Sequence, residues 1–212
     1  MSDTSLLFVL GVGFVLGLKH ATDPDHIVAV TTFVGKERHL GRACAIGLCW
    51  GLGHTLALSL AGFVVIGLRI PMSMWLAERL ELAVAAMLVI LGARLIASVH
   101  TKWHEHHDHF NWTQCGLKPL AVGIVHGAAG SAALTLLVIS TISSPAQGVL
   151  YIMIFGLGSM IGMLAVSVLI ACPVQWAGER AGAAIRPIQT TTGVLSCLCG
   201  LYLANSILRT LH

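Results

Sequence analysis

Apolar residues fall along the chain in six blocks, roughly 5–34, 43–68, 76–99, 118–142, 147–172 and 184–210. Each block is at least as long as the ~20 residues that carry an α-helix across a bilayer. Ala43 to Leu68 contains no Asp, Glu, Lys or Arg, and neither does Pro119 to Gly178. The second tract holds two helices' worth of residues. Ser143-Ser144-Pro145-Ala146-Gln147-Gly148, near its middle, has the chemistry of a short connection. The pattern predicts an all-α integral membrane protein with six transmembrane helices, forming one domain over residues 1–212.

The order of small and polar residues adds an internal relationship. Gly17-Leu-Lys-His20 recurs as Gly123-Ile-Val-His126, offset by 106 positions. Gly51-Leu-Gly-His54 recurs as Gly156-Leu-Gly-Ser159, offset by 105, and Leu91-Gly92 as Cys199-Gly200, offset by 108. Two copies of three helices each are expected, one over about 5–99 and one over about 118–212, separated by a loop at 100–117. An odd number of helices per copy inserts the second copy upside down. Inverted three-helix repeats of this sort place a transport site at their interface.

Composition leaves the helical picture intact and removes the soluble alternatives. The chain is 56% hydrophobic and 10% charged, with a mean hydropathy of +0.86. Soluble domains carry about 25% charged residues, so this chain has too few to face water. A net charge of +3 gives no reason to expect nucleic acid as a partner; the expected surroundings are the lipid bilayer. The positions of the cations predict orientation. Alternate loops hold Lys36, Arg38, Arg42, then Lys102, Lys118, then Arg180, Arg186; the opposite side has Arg69, Arg79 and Arg209. By the positive-inside rule the first, third and fifth loops are cytoplasmic and both termini lie outside the cell membrane. The segment before Leu6 has Asp3 and no Lys or Arg, so no cleavable signal is expected. The six cysteines form no Cys-x-x-Cys pair and read as small packing residues.

Chemistry concentrates in His20-Ala-Thr-Asp23-Pro24-Asp25-His26, inside the first apolar block. An Asp at the centre of a membrane helix costs roughly 3 kcal/mol on insertion scales. Such residues persist where they face a cavity, pair with one another, or bind an ion. His20, Asp23 and His26 share one face of a regular helix, and Asp25 does not. Pro24 lacks an N–H and collides with the carbonyl of His20, so a kink or unwound turn is expected there. It would free that carbonyl and swing Asp25 inward. Imidazole with carboxylate and no thiolate suits borderline ions such as Ni(II), Co(II) and Zn(II). His54 is the one polar ionisable group of the second block and is the expected ligand from outside the first. His126, which repeats His20 without its acids, is a further candidate. The predicted metal-ligating set is therefore His20, Asp23, Asp25, His26, His54 and His126. A second tract, His100-Thr-Lys-Trp-His104-Glu-His106-His107-Asp-His109, has the composition of a loop that binds borderline metals loosely on the cytoplasmic side.

At these residues the chain resembles the nickel/cobalt transporter family. The family's His-x4-Asp-His helix is matched by His20, Asp25 and His26, with Asp23 completing the fuller His-Ala-x-Asp-x-Asp-His form. Its Leu-Gly-His-Thr signature is matched by Leu52-Gly53-His54-Thr55. Short length and the stretch Val125–Leu134 resemble the compact, six-helix branch of urease-accessory-like proteins. Longer members carry further acidic motifs in their second half; this chain has no Asp or Glu between Asp108 and Glu179. The resemblance implies a permease for Ni2+ or Co2+ as transported substrate; no cofactor is expected, and uptake is the expected direction. A cytoplasmic metallochaperone is a partner to consider. Efflux of the same ions is the alternative. An intramembrane hydrolase built on Ser131 with His126 or His54 is a remote one, since His-Glu-x-x-His is absent. No Gly-x4-Gly-Lys-Ser/Thr occurs, so ATP hydrolysis by this chain is not expected.

Overall fold

The computed structural model describes residues 3–35, 37, 39–68, 72–100, 116–142, 144–177 and 182–210. Among these residues there are seven α-helices and no strand: α1 Asp3–His20, α2 Pro24–Val34, α3 Leu40–Gly62, α4 Met74–His100, α5 Lys118–Thr141, α6 Pro145–Ala177 and α7 Gly182–Thr210. A π-helical turn, Phe63–Gly67, lengthens α3. The His-rich tract predicted at 100–109 lies almost wholly outside the described residues.

Four described helices are long and apolar enough to cross a membrane: Leu40–Gly67, Met74–Val99, Pro145–Pro173 and Arg186–Thr210. A fifth span forms if Leu6–His20 and Pro24–Val34 are taken as one broken segment, bent by 56°. α5 occupies the fourth apolar block of the sequence. The outer faces carry large apolar side chains, among them Leu60 on α3, Leu169 on α6 and Tyr202 on α7. In water this much exposed apolar surface drives aggregation; among acyl chains it is the ordinary exterior of a helical bundle.

α3 is the central helix. It packs between α5 and α6, while α1 lies on α6 and α4 on α7. Among its buried residues, Ala43, Ile46, Gly47, Trp50, Gly51, His54 and Leu58 follow the i, i+3, i+4 pattern of one helix face, which brings both Trp50 and His54 to the interior. One apolar cluster, including Ala29, Val30, Ile46, Trp50, Leu88 and Met163, surrounds the polar interior. A second, including Leu58, Ile66, Val138, Ile152 and Phe155, fills the region around the π-helical turn.

Candidate metal centre

The site is built at the break between α1 and α2. Pro24 cannot donate a backbone hydrogen bond, so α1 cannot continue through it. The carbonyls of the last α1 turn are taken up locally: Ala21 N–H donates to Gly17 O (3.2 Å), Thr22 N–H to Lys19 O (2.8 Å) and Asp23 N–H to His20 O (3.0 Å). The expectation that Pro24 frees the His20 carbonyl is therefore corrected, because Asp23 N–H reaches back and satisfies it. Asp23 takes an extended conformation (φ −62°, ψ 144°), as a residue before proline prefers. It stands at the N-cap position of α2, but its carboxylate makes no capping bond. The carboxylate accepts instead from His20 Nδ1–H at 2.7 Å.

The 56° bend turns the start of α2 toward His20. The His20 and His26 ring centroids are 4.6 Å apart, and His20 and His54 5.3 Å. The His26 and His126 rings stack at 4.0 Å, and His26 and His54 lie 5.2 Å apart. Asp25 bridges: one oxygen accepts from His26 N–H (3.0 Å) and faces His26 Nδ1 (3.2 Å), and the other accepts from His126 Nε2–H (2.8 Å). All six residues singled out in the sequence thus meet in one place, contributed by α1, α2, the segment between them, α3 and α5. Two triads have ligand-type atoms mutually within 4.8 Å: His20–His26–His54 and Asp25–His26–His126.

Proton positions follow from these contacts. A carboxylate only accepts, so His20 and His26 carry a proton on Nδ1, and His126 carries one on Nε2. The opposite nitrogens of His20, His26 and His126 are left with lone pairs. Carboxylates that orient imidazoles in this way are a recurrent outer shell of metal sites. His26, His54 and His126 are buried. His26 Nε2, His126 Nδ1 and both ring nitrogens of His54 are buried with no hydrogen-bond partner.

Two aromatic residues at the site were not singled out in the sequence. The Trp50 ring lies nearly parallel to that of His26 (6.4 Å, 19°) and tilted to that of His126 (6.1 Å, 32°), with its indole Nε1–H buried and unpartnered. The Phe155 ring lies 5.4 Å from His20. The sequence carried a signal for both: Trp50-Gly-Leu-Gly and Phe155-Gly-Leu-Gly share a pattern 105 positions apart. Ser131, the nucleophile of the hydrolase alternative, donates to Ala128 O within its own helix at 2.6 Å. Thr190 and Thr191 likewise donate to Arg186 O and Pro187 O on α7.

Long apolar helices with apolar exteriors define a multi-pass membrane protein. The chain is 38% identical to the urease accessory protein UreH of Bacillus sp. (strain TB-90), over 95% of this chain and 92% of that protein. It is also 42% identical over 67 residues to the nickel transporter NicT of Mycobacterium tuberculosis (strain ATCC 25618 / H37Rv), a match covering 29% of this chain and 18% of NicT. The chain belongs to the family of UreH, the compact urease-accessory branch of the nickel/cobalt transporters. Neither relative is named as an enzyme; one is an accessory protein and the other a transporter. No protein-family model matches the chain, and no solved structure matches it.

Proposed function

We propose that this chain is a secondary transporter that carries Ni2+, and Co2+ as a second cargo, inward across the cell membrane through His20, Asp23, Asp25, His26, His54 and His126. The observation that carries this reading is the set of four unpartnered, buried imidazole nitrogens. Each unsatisfied buried polar group costs about 1–3 kcal/mol. A divalent ion that accepts lone pairs from the same rings offsets that cost. Charge agrees: two carboxylates beside neutral imidazoles hold two negative charges, and one divalent cation neutralises them. A neutral assembly is what a low-dielectric interior tolerates. Uptake is the direction we adopt, because a transporter that serves as accessory to an enzyme delivers its cargo.

The architecture we propose is six spans, with α5 as the fourth, in two inverted repeats. Reciprocal contacts support it. A Cβ on Gly17 would collide with Phe155 O and lie 2.9 Å from Ser159 N; a Cβ on Gly123 would collide with Trp50 O and lie 3.0 Å from His54 N. Phe155 and Ser159 are the repeat counterparts of Trp50 and His54, so the same contact occurs twice with the halves exchanged. α4 and α7 pair symmetrically as well: Ser196 Oγ donates to Leu88 O at 2.8 Å across the 108-residue offset. The His100–His109 tract would then lie on the cytoplasmic side, where it holds released ions loosely or passes them to a metallochaperone.

The test is flux. Purified protein in liposomes loaded with a nickel-quenched dye should quench it on external nickel addition, and His54→Ala should abolish the signal while still inserting. An empty-liposome rate from correctly inserted wild type would remove the transport reading. In cells, expression should raise accumulated radioactive nickel; a fall would reverse the direction.

A further inference from the structure

The two triads share one residue. His26 stands with His20 and His54 in one and with Asp25 and His126 in the other. Its ring lies 4.6 Å from that of His20 and 4.0 Å from that of His126. The two donor sets differ in kind, three imidazoles in one, two imidazoles and a carboxylate in the other. Each triad has one accessible member, His20 or Asp25, and two closed ones. The side chains of Asp23 and Asp25 are 45% and 31% accessible and that of His20 24%, while His26 and His126 retain 2% and 4%. The carboxylates reach outward and the imidazoles His26, His54 and His126 are closed.

Resting on the transport reading above, we infer that the site is a two-station relay. One station is His20, His26 and His54, the other Asp25, His26 and His126, and the cargo ion passes between them keeping His26 as a ligand while it exchanges the others. Only one station is filled at a time. Two divalent ions a ring apart in a low-dielectric interior repel strongly, and two carboxylates cannot neutralise both. A retained ligand makes each transfer a small step, since the ion is never bare in a medium that cannot solvate it. The ion-free contacts fit such a hand-over. Asp25, as hydrogen-bond acceptor, orients His26 while the His20 station is in use. To fill the other it turns the same oxygens to the ion. The second half of the chain contributes His126 to one station only, so the hand-over runs between residues of α1 and α3 and a residue of α5.

The experiment uses the full chain in phosphatidylcholine nanodiscs, titrated with Ni2+ alone, with the donor set read by X-ray absorption at the nickel edge. Wild type should bind one ion. His126→Ala should keep nickel with imidazole donors and no carboxylate. His54→Ala should keep it with fewer imidazoles and a carboxylate, and His26→Ala should lose affinity by at least about 10–100-fold. Both single-station variants should lose nickel flux in liposomes although they bind. His54→Gln and His126→Gln, which keep the side-chain volume, should behave as their alanine forms do. The relay is overturned if His54→Ala and His126→Ala give the same donor set, if either alone abolishes binding in a folded protein, or if wild type binds two ions together. Wild type that binds as described but passes no nickel would end the transport reading and leave the two-triad binding pattern standing.

Discussion

Gly17→Ala tests whether close approach of α1 to α6 holds the site together. Gly17 is one turn before His20. An added Cβ would meet the Phe155 carbonyl oxygen, with Phe155 C and Ser159 N both 2.9 Å away. Carbon atoms pack best at about 3.5–4.0 Å, so the two helices must part by about 1 Å. Overpacking of this kind costs about 1–3 kcal/mol, and the upper end applies because the neighbours are backbone rather than a flexible side chain. Helix propensity returns about 0.5–1 kcal/mol of that. The net loss, about 2–2.5 kcal/mol, should lower Tm by roughly 4–10 °C for a chain of this size. Gly11→Ala is the control on the same helix, with nothing within 4 Å of its added Cβ; it should leave Tm unchanged or raise it. Thermal unfolding in nanodiscs, followed by tryptophan fluorescence, reads the stability, and nickel flux reads the displacement of His20. Gly123→Ala should repeat the Gly17 result, since it meets Trp50 O and His54 N. If Gly17→Ala and Gly11→Ala have equal Tm and equal flux, the packing argument is wrong.

Three further outcomes are expected. Asp25→Asn puts an amide N–H₂ against His26 or His126, each of which now donates to the carboxylate; nickel affinity should fall about 10–100-fold, as it does when an orienting carboxylate is lost, measured by titration in nanodiscs. Asp23→Asn should cost less, at most about tenfold, because its carboxylate holds only His20 Nδ1 and is the more accessible of the two. Nickel binding should weaken as pH falls, because protons compete for the imidazole lone pairs the ion needs; binding that is flat through the acidic range would mean the ligands are not imidazoles.

Much of the site is legible in the sequence. Two imidazoles and two carboxylates within seven apolar-flanked residues are too costly in a bilayer to be incidental, and Pro24 marked the break beside them. One detail inside that motif went the other way. The His20 carbonyl is not released, because Asp23 N–H is near enough in an extended pre-proline conformation to bond it. Trp50 is not legible in the same way, because a tryptophan in an apolar helix reads as packing. Its place beside His26 and His126, with its indole N–H unpartnered, sets it apart.

The sequence by itself determined that the chain is helical and lives in a membrane, and that its chemistry centres on His20 to His26. Those properties are local: apolar run length and the cost of a buried charge need no knowledge of neighbours. Only the tertiary structure decided that Asp25 meets His126, 101 residues away, and that Asp25 and His126 share His26 with His20 and His54. Contacts between helices depend on crossing geometry and close approach. These follow from how small residues such as Gly17 and Gly123 let backbones touch, which the order of residues along one chain does not express.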